Sequence, residues 1–225
     1  MPSFPPLLTG HRVTGDAFAH AVTGAGDGRL GAGDCVWRDD ADRLDIALVM
    51  EPDVARARCG EMVLLAMVAV GDAVGALMPP ESAIAYRWPH RIDLNGAEVG
   101  GARFAMPDKG TAWLVTGVSL RVRPPLTRDE EPGRDLERTS LWDEGAGEVT
   151  VEALVESAAR HWVSWLHVWD EEGFAPIAEQ WLGRRDEAGS LAQGEGRFTG
   201  LDDVGNAIVA RDGGHVSLDL FEALA

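Results

Sequence analysis

The chain has 225 residues, of which 45% are hydrophobic and 25% are charged, and this composition is typical of a globular protein with a large core. Its formal charge of −17 at pH 7 argues against nucleic-acid binding, which requires a basic surface, and against adhesion to an anionic membrane. Two cysteines, Cys35 and Cys59, provide neither a disulfide framework nor a zinc-ligand spacing, so no metal site is expected.

The start of the chain lacks the basic and apolar regions of a secretory signal. No apolar run approaches the roughly 20 residues that a membrane-spanning helix needs. We therefore expect a cytoplasmic protein.

A short helix is predicted over residues 15–22, with Asp16 near its start. The glycine-rich loop that follows contains G-x-G-x-x-G at Gly26, Gly28 and Gly31. A dinucleotide site requires a strand before this motif and a helix after it. Here the predicted order is the reverse, so we reject a dinucleotide site.

Two strands are predicted next, over residues 35–37 and 43–50. The second alternates at first and is then continuously apolar, which indicates a central position in a sheet. Asp53 is predicted to cap a long helix over residues 54–77, which is apolar on most sides and therefore buried against that sheet.

A β-hairpin is predicted within residues 83–104. Asn95-Gly96 is a strong signal for a type I′ turn, because both residues tolerate a positive φ. Gly100-Gly101 in the returning arm indicates a bulge, or a place where another backbone or a ligand comes close.

The second half of the chain continues with a strand over residues 111–122, a polar loop, and helices over residues 149–170 and 175–184. The tryptophans of the first of these helices have the spacing of a buried face. The last forty residues are short strands punctuated by glycine, which predicts a small antiparallel barrel.

The hairpin segment resembles the catalytic domain of biotin and lipoate protein ligases. That family shows Lys-Trp-Pro-Asn-Asp-Ile, then Asn-Gly, a basic residue and a Gly-Gly or Ala-Gly strand. Trp88-Pro89, Ile92, Asn95-Gly96 and Gly100-Gly101 fit this frame without a gap. The resemblance implies an α+β fold in which a mixed or antiparallel sheet is packed by helices. It also implies a ligase-like catalytic domain over residues 1–185 and an SH3-like β-barrel over residues 190–225.

The resemblance also implies a ligand pocket and its residues. Arg87, at the position of the family's lysine, and Arg91 are the predicted catalytic charges. The predicted ligand-binding residues are Thr14, Arg29, Gly33, Trp37, Trp88, His90, Glu98, Gly100, Gly101 and Arg121.

The polar positions of the family are altered in this chain. His90 and Arg91 replace an asparagine and an aspartate, Glu98 replaces a basic residue, and Arg121 replaces an asparagine. The glycine-rich loop, which in the family carries several arginines, keeps only Arg29. The sole lysine, Lys109, lies in a predicted turn after the hairpin. The catalytic motifs are therefore predicted to be degenerate, because reactions depend on the polar groups.

Three hypotheses remain open. The first is a divergent ligase, similar to a biotin-[carboxyl-carrier protein] ligase, that binds a small carboxylic acid or its acyl-adenylate. It would use ATP and a biotin- or lipoate-like acid, and would transfer the acyl group to a carrier-domain lysine. The second is a non-catalytic pseudo-ligase that binds biotinyl or lipoyl carrier domains. The third is an ATP-independent octanoyl or lipoyl acyltransferase, for which Cys35 is the only candidate nucleophile. Exposed strands also make a homodimer an expectation.

Overall fold

The computed structural model describes residues 1–110, 112–124, 137–186, 191, 196–211 and 213–224. Its centre is a seven-stranded sheet in the order β1-β2-β3-β7-β6-β5-β4. β1 pairs with β2 in parallel and the other neighbours are antiparallel, so the predicted mixed sheet of an α+β fold is confirmed. The strands are β1 (Thr9–Val13), β2 (Asp34–Arg38), β3 (Arg43–Met50), β4 (Ile84–Arg87), β5 (Arg91–Leu94), β6 (Ala97–Ala105) and β7 (Leu114–Arg121).

Helices cover both faces of this sheet. The helices are α1 (Ala17–Gly26), α2 (Glu61–Gly75), α3 (Val151–Glu172), α4 (Ala175–Gly183) and the short α5 (Leu220–Leu224). α2 lies between the sheet and the outer pair α3 and α4, and nearly all of its residues are buried. This position explains why α2 is apolar on every side.

α1 packs on the opposite face of the sheet. Asp16 caps it by accepting a hydrogen bond from the backbone N–H of Ala19, at 2.8 Å. Ala17 and Ala21 are fully buried against Ala47 of β3 and other small side chains. Such small residues let the helix approach the sheet closely, but α1 is short and covers only part of the face.

The long helix was predicted to begin after Asp53, and this prediction was wrong. Residues 56–58 form a 3₁₀ turn, and α2 begins at Glu61. The Arg56 guanidinium donates to the carbonyl oxygens of Pro107, at 2.6 Å, and Gly110, at 3.0 Å. These tertiary hydrogen bonds hold the segment against the loop between β6 and β7, and they override the local helical propensity.

The predicted hairpin is a three-stranded meander. Asn95 and Gly96 have φ values of 51° and 88°, so the predicted turn is confirmed. Trp88, Pro89 and His90 form a second turn, with a cis bond between Trp88 and Pro89, that separates β4 from β5.

The paired glycines have both of the predicted properties. The register between β5 and β6 shifts next to Ile92, which marks a bulge. A Cβ atom on Gly100 would lie 2.0 Å from the carbonyl oxygen of Ser119 on β7. Only glycine permits this close approach of two backbones.

The C-terminal segment forms a three-stranded antiparallel sheet in the order β10-β9-β8, which fits the predicted small SH3-like domain. Its strands are β8 (Arg197–Leu201), β9 (Ala207–Arg211) and β10 (Gly214–Leu218). Phe198 and Val209 join the main core, and the indole N–H of Trp88 donates to the carbonyl oxygen of Gly205 at 3.0 Å. The division into domains at residues 185 and 190 stays a prediction.

The edge formed by β4 is covered by the segment that follows α4. The N–H of Tyr86 donates to the carbonyl oxygen of Arg184 at 2.7 Å, and the N–H of Asp186 donates to that of Tyr86 at 2.9 Å. β1 is the other edge of the sheet. None of the helices in the described ranges is both long enough and apolar enough to cross a membrane.

Candidate functional site

A cavity of about 740 Å³ opens on the α1 face of the sheet, beside the start of that helix. α1 covers only part of this face, so side chains of β3, β7, β6 and β5 on the α1 side of the sheet reach solvent beside the helix. The lining residues are Asp16, Arg38, Arg43, Asp45, His90, Arg91, Glu98, Gly100, Gly101, Ala102, Arg103, Ser119 and Arg121.

The floor of the cavity is one row of residues across four strands. Asp45 on β3 pairs with Ser119 on β7, Ser119 pairs with Gly101 on β6, and Gly101 pairs with Arg91 on β5. Side chains alternate along each strand, so paired residues share a face. At Gly101 the backbone of His90 comes close to this row and leaves no room for a side chain. A Cβ atom there would lie 2.7 Å from the carbonyl oxygen of His90.

Five strands each contribute one arginine to the cavity: Arg38 from β2, Arg43 from β3, Arg91 from β5, Arg103 from β6 and Arg121 from β7. Among the described residues, three carboxylates line the same cavity, those of Asp16, Asp45 and Glu98. Arg38 and Arg91 are also paired with carboxylates outside the lining, Asp40 at 2.9 Å and Asp93 at 2.6 Å. The cavity therefore gathers guanidinium donors, which suit the oxygen atoms of an anionic ligand.

At the end of the cavity next to α1, one guanidinium is shared by two carboxylates. The guanidinium of Arg103 lies 2.7 Å from a carboxylate oxygen of Asp16 and 3.0 Å from one of Asp45. Asp45 also accepts the N–H of Ala17 at 3.0 Å. The hydrogen bond from Arg103 holds the pKa of Asp16 below its usual value. Arg103 therefore fixes the start of α1 to β3 and β6.

In the middle of the cavity the ion pairs are longer than at the end next to α1. The Glu98 carboxylate lies 3.6 Å from Nη1 of Arg91 and 3.5 Å from Nη2 of Arg121. Arg121 also donates to the carbonyl oxygens of Thr139, at 2.9 Å, and of Glu98. Burial lowers the pKa of Arg121; the charges of Arg138 and Arg43 add to this effect, and Glu98 opposes it.

Arg87 does not line the cavity. Its Nε lies 2.7 Å from Oδ2 of Asp93 and 3.0 Å from Oδ2 of Asp186. The first contact is an ion pair without hydrogen-bond geometry. Nε of Arg91 donates to the other oxygen of Asp93 at 2.6 Å. The 1%-exposed carboxylate of Asp93 thus joins Arg87 to the cavity through Arg91.

The cavity brings together six of the predicted site residues, namely His90, Arg91, Glu98, Gly100, Gly101 and Arg121. The other predicted ligand contacts lie elsewhere. Trp37 and Trp88 are buried in the core on the α2 side. Thr14 is exposed at the approach to α1, and Arg29 is exposed and paired with Asp27 at 2.7 Å. Gly33 lines a separate cavity on the other side of the sheet.

The sequence interpretation missed Arg38, Arg43, Asp45, Arg103 and Ser119 as site residues. Arg43 and Asp45 lie two residues apart in a strand that was predicted to alternate at its start. Arg103 lies two residues after Gly101 and therefore on the same face. The alternation of side chains along β3 and β6, with a period of two residues, could have identified these site residues from the sequence.

The residues present fit an anion and do not form a metal site. Across the described ranges, no group of three or more His, Cys, Asp or Glu side chains could hold a metal ion. Arginine presents a planar fork of N–H donors that matches a carboxylate or a phosphate. No lysine lines the cavity.

Comparisons with known proteins agree with this fold. The Biotin/lipoate A/B protein ligase family matches residues 4–183. A biotin–[acetyl-CoA-carboxylase] ligase of Paracoccus denitrificans is 28% identical over 195 residues, which cover 82% of this chain and 80% of that protein.

Solved structures give the same result. A biotin protein ligase-like protein of unknown function from Silicibacter sp. TM1040 aligns over 100% of both chains, with 32% identity and a TM-score of 0.88. The biotin protein ligase of Aquifex aeolicus shares the fold, with a TM-score of 0.74 and 15% identity over 93% of this chain and 95% of that one. By its sequence and its fold, the chain belongs to the biotin/lipoate A/B protein ligase family.

Proposed function

We propose that the protein binds a small carboxylic acid, or the acyl-adenylate of that acid, in the arginine-lined cavity. The observation that carries this proposal is the convergence of one arginine from each of five strands on a single cavity. Fixed guanidinium groups bind carboxylate and phosphate oxygens well. Membership of the family supports the same class of ligand.

The full ligase reaction would proceed in two steps. The carboxylate attacks the α-phosphorus of ATP and releases pyrophosphate, and a carrier-domain lysine then attacks the acyl carbon and releases AMP. Both steps develop negative charge on oxygen atoms, which the cavity arginines would stabilise. ATP, a biotin- or lipoate-like acid, a carrier domain and a cytoplasmic location all belong to this proposal.

Glu98 favours binding over turnover. Its carboxylate lies between Arg91 and Arg121, where it competes with an anionic ligand for both cations. No lysine lines the cavity to replace the charge that Glu98 removes. This arrangement favours the second candidate function, a pseudo-ligase that engages biotinyl or lipoyl carrier domains without forming adenylate.

Two measurements on the purified protein test the proposal. Calorimetry with biotin, lipoate, octanoate and their adenylates is expected to show binding of at least one ligand. ATP-dependent pyrophosphate exchange with the same acids is expected to be far slower than for a biotin ligase assayed in parallel. Exchange at a comparable rate would support the active ligase and contradict the pseudo-ligase.

Replacing Arg91 with glutamine is expected to weaken the best ligand by about tenfold to a hundredfold, because a hydrogen bond to a charged group contributes roughly 1.5–3 kcal/mol. The matched control is Arg12→Gln, which removes an exposed arginine outside the cavity. Absence of binding by every acid and adenylate, or equal affinity in the Arg91 and Arg12 variants, would contradict the proposed site.

The acyltransferase hypothesis depends on Cys35, and its surroundings oppose it. Cys35 is 1% exposed and belongs to the apolar core on the α2 side. Burial raises the pKa of its thiol to about 12, so the nucleophilic thiolate is scarce at neutral pH. We expect Cys35→Ala to leave any octanoyl transfer unchanged within about twofold, as measured with an octanoyl donor and a lipoyl domain. Cys59→Ala, at the other buried cysteine, is the control; loss of transfer in the Cys35 variant alone would restore the hypothesis.

A further inference from the structure

We infer that a second cavity, on the α2 side of the sheet, binds an organic cation, namely a primary amine with an apolar chain. This cavity is separate from the arginine-lined cavity, which lies on the α1 side. The inference goes beyond the proposed function, because it concerns another site and a ligand of opposite charge.

The second cavity has a volume of about 860 Å³. It is lined by Leu7 and Leu8 before β1, by residues 50–54 at and after the end of β3, and by residues of α3 between Val163 and Asp170. A cavity of this volume accommodates a small organic molecule.

Most of the lining is apolar. Leu48, Cys59, Met62 and Leu114 belong to the core, and each is at most 4% exposed. Leu7 is 75% exposed, and few large apolar side chains in the described ranges reach solvent to this extent. Apolar surface in contact with water gains free energy when a hydrocarbon group covers it. The cavity therefore suits the apolar part of a ligand.

The charged groups of the cavity are mainly acidic. Glu51 and Asp53 follow β3, and Asp170 belongs to α3; all three side chains are exposed and line the cavity. Glu51 accepts one long hydrogen bond, from the N–H of Ala32 at 3.4 Å. Within the described ranges, no basic side chain lies within ion-pair distance of these three carboxylates. Their negative charge is therefore not paired within the protein.

Arg58, the one arginine among the described lining residues, is already paired. Its Nε and Nη2 donate to the two carboxylate oxygens of Glu61, at 2.9 Å and 3.1 Å, and its guanidinium lies 5.1 Å from the ring centroid of Trp169. Glu61 is 0% exposed, so this ion pair is held in place by the fold. His167 is the other basic side chain of the lining. The three exposed carboxylates are left for a ligand to pair.

A primary amine matches these features better than a metal ion or an acid. Across the described ranges, no group of His, Cys, Asp or Glu side chains could hold a metal ion, so the three carboxylates do not converge on one point. An ammonium group has three N–H donors and can bind one or more of the carboxylates, while its chain covers the apolar surface. An acid would be repelled by the same carboxylates.

The test is calorimetry with octylamine and 1-octanol, which share an eight-carbon chain and differ in the charge of the head group. At pH 8 an alkylamine carries its charge and a histidine side chain ordinarily does not. Ionic strength is held fixed, because salt screens such contacts. We expect octylamine to bind at least fivefold more tightly than 1-octanol. Equal affinities, or no binding of octylamine, would overturn the inference.

The variant Asp170→Lys is expected to weaken octylamine binding at least tenfold and to change 1-octanol binding by no more than about twofold. Asp170 lies in the last turn of α3, where a lysine is favourable, so this variant is expected to fold. The matched control is Asp203→Lys, which makes the same change of charge at an exposed aspartate outside the cavity. Equal weakening in the two variants would show that octylamine responds only to the net charge of the chain, and would overturn the inference. Asp53→Asn gives an independent variant, for which about threefold weaker octylamine binding is expected.

Arg91→Gln distinguishes the two cavities, because Arg91 lines the arginine-lined cavity and not the second one. Octylamine affinity is expected to be unchanged in this variant. If Arg91→Gln weakened octylamine binding and Asp170→Lys did not, the amine would lie in the arginine-lined cavity and the inference would be wrong. The proposed function is tested separately, with acids and adenylates, so it stands or falls independently of these results.

Discussion

Replacing Asp93 with alanine is expected to lower the free energy of unfolding by about 3 kcal/mol, as measured by urea denaturation. The Asp93 side chain is 1% exposed and contacts both Arg87 and Arg91, at 2.7 Å and 2.6 Å. Its loss would leave two partly buried guanidinium groups on the same face without their shared counter-charge. Removing one partner from a buried ion pair is costly because the remaining charge is poorly solvated.

The control is Asp39→Ala, which makes the same substitution at another aspartate paired with an arginine. Asp39 and its partner Arg12 are 41% and 49% exposed, so this variant is expected to change stability by no more than about 1 kcal/mol. Equal losses of unfolding free energy in the two variants would show that the burial of Asp93 does not increase the contribution of its ion pairs to stability.

The position of Asp93 also bears on the predicted catalytic role of Arg87. Asp93 and Asp186 both approach Nε of Arg87, so much of its charge is compensated within the protein. Arg91 lines the cavity and shares Asp93 with Arg87. Arg87 therefore supports Arg91 in this structure, and a direct role for Arg87 in the reaction stays a prediction.

The sequence predicted the fold well where local rules determine it. The Asn95-Gly96 turn follows from the positive φ that both residues accept, and strands β3 and β7 follow from their apolar patterns. The start of α2 could not be predicted in the same way. Asp53 is a good capping residue, but Arg56 is held by carbonyl groups about fifty residues away along the chain.

The site was predicted only in part, because a sheet assembles it from distant strands. The motif residues Arg91, Glu98 and Gly101 lie on two adjacent strands and were found from one segment. Arg43 joins them only because β3 pairs with β7, which is more than sixty residues later in the chain. That pairing is a non-local contact, and the period of two along β3 indicates a shared face without indicating the partner strand.

A second large effect is expected at the paired glycines. Gly100→Ala should lower the free energy of unfolding by about 3 kcal/mol, at the upper end of the usual range for added core volume, as measured by urea denaturation. The new Cβ atom would lie 2.0 Å from the carbonyl oxygen of Ser119 and 2.9 Å from the Cα atom of Leu120. Both are backbone atoms, so β6 and β7 would have to move apart.

Gly200→Ala provides the matched control, because Gly200 also lies within a strand and a Cβ atom there would meet nothing within 4 Å. This variant is expected to be neutral or slightly stabilising, by up to about 1 kcal/mol, since alanine restricts the unfolded chain. Separation of β6 from β7 would also move Arg121 away from Arg91, so Gly100→Ala should weaken ligand binding even where the protein remains folded. Wild-type stability with wild-type affinity in that variant would show that the backbones of β6 and β7 are not in close contact at Gly100.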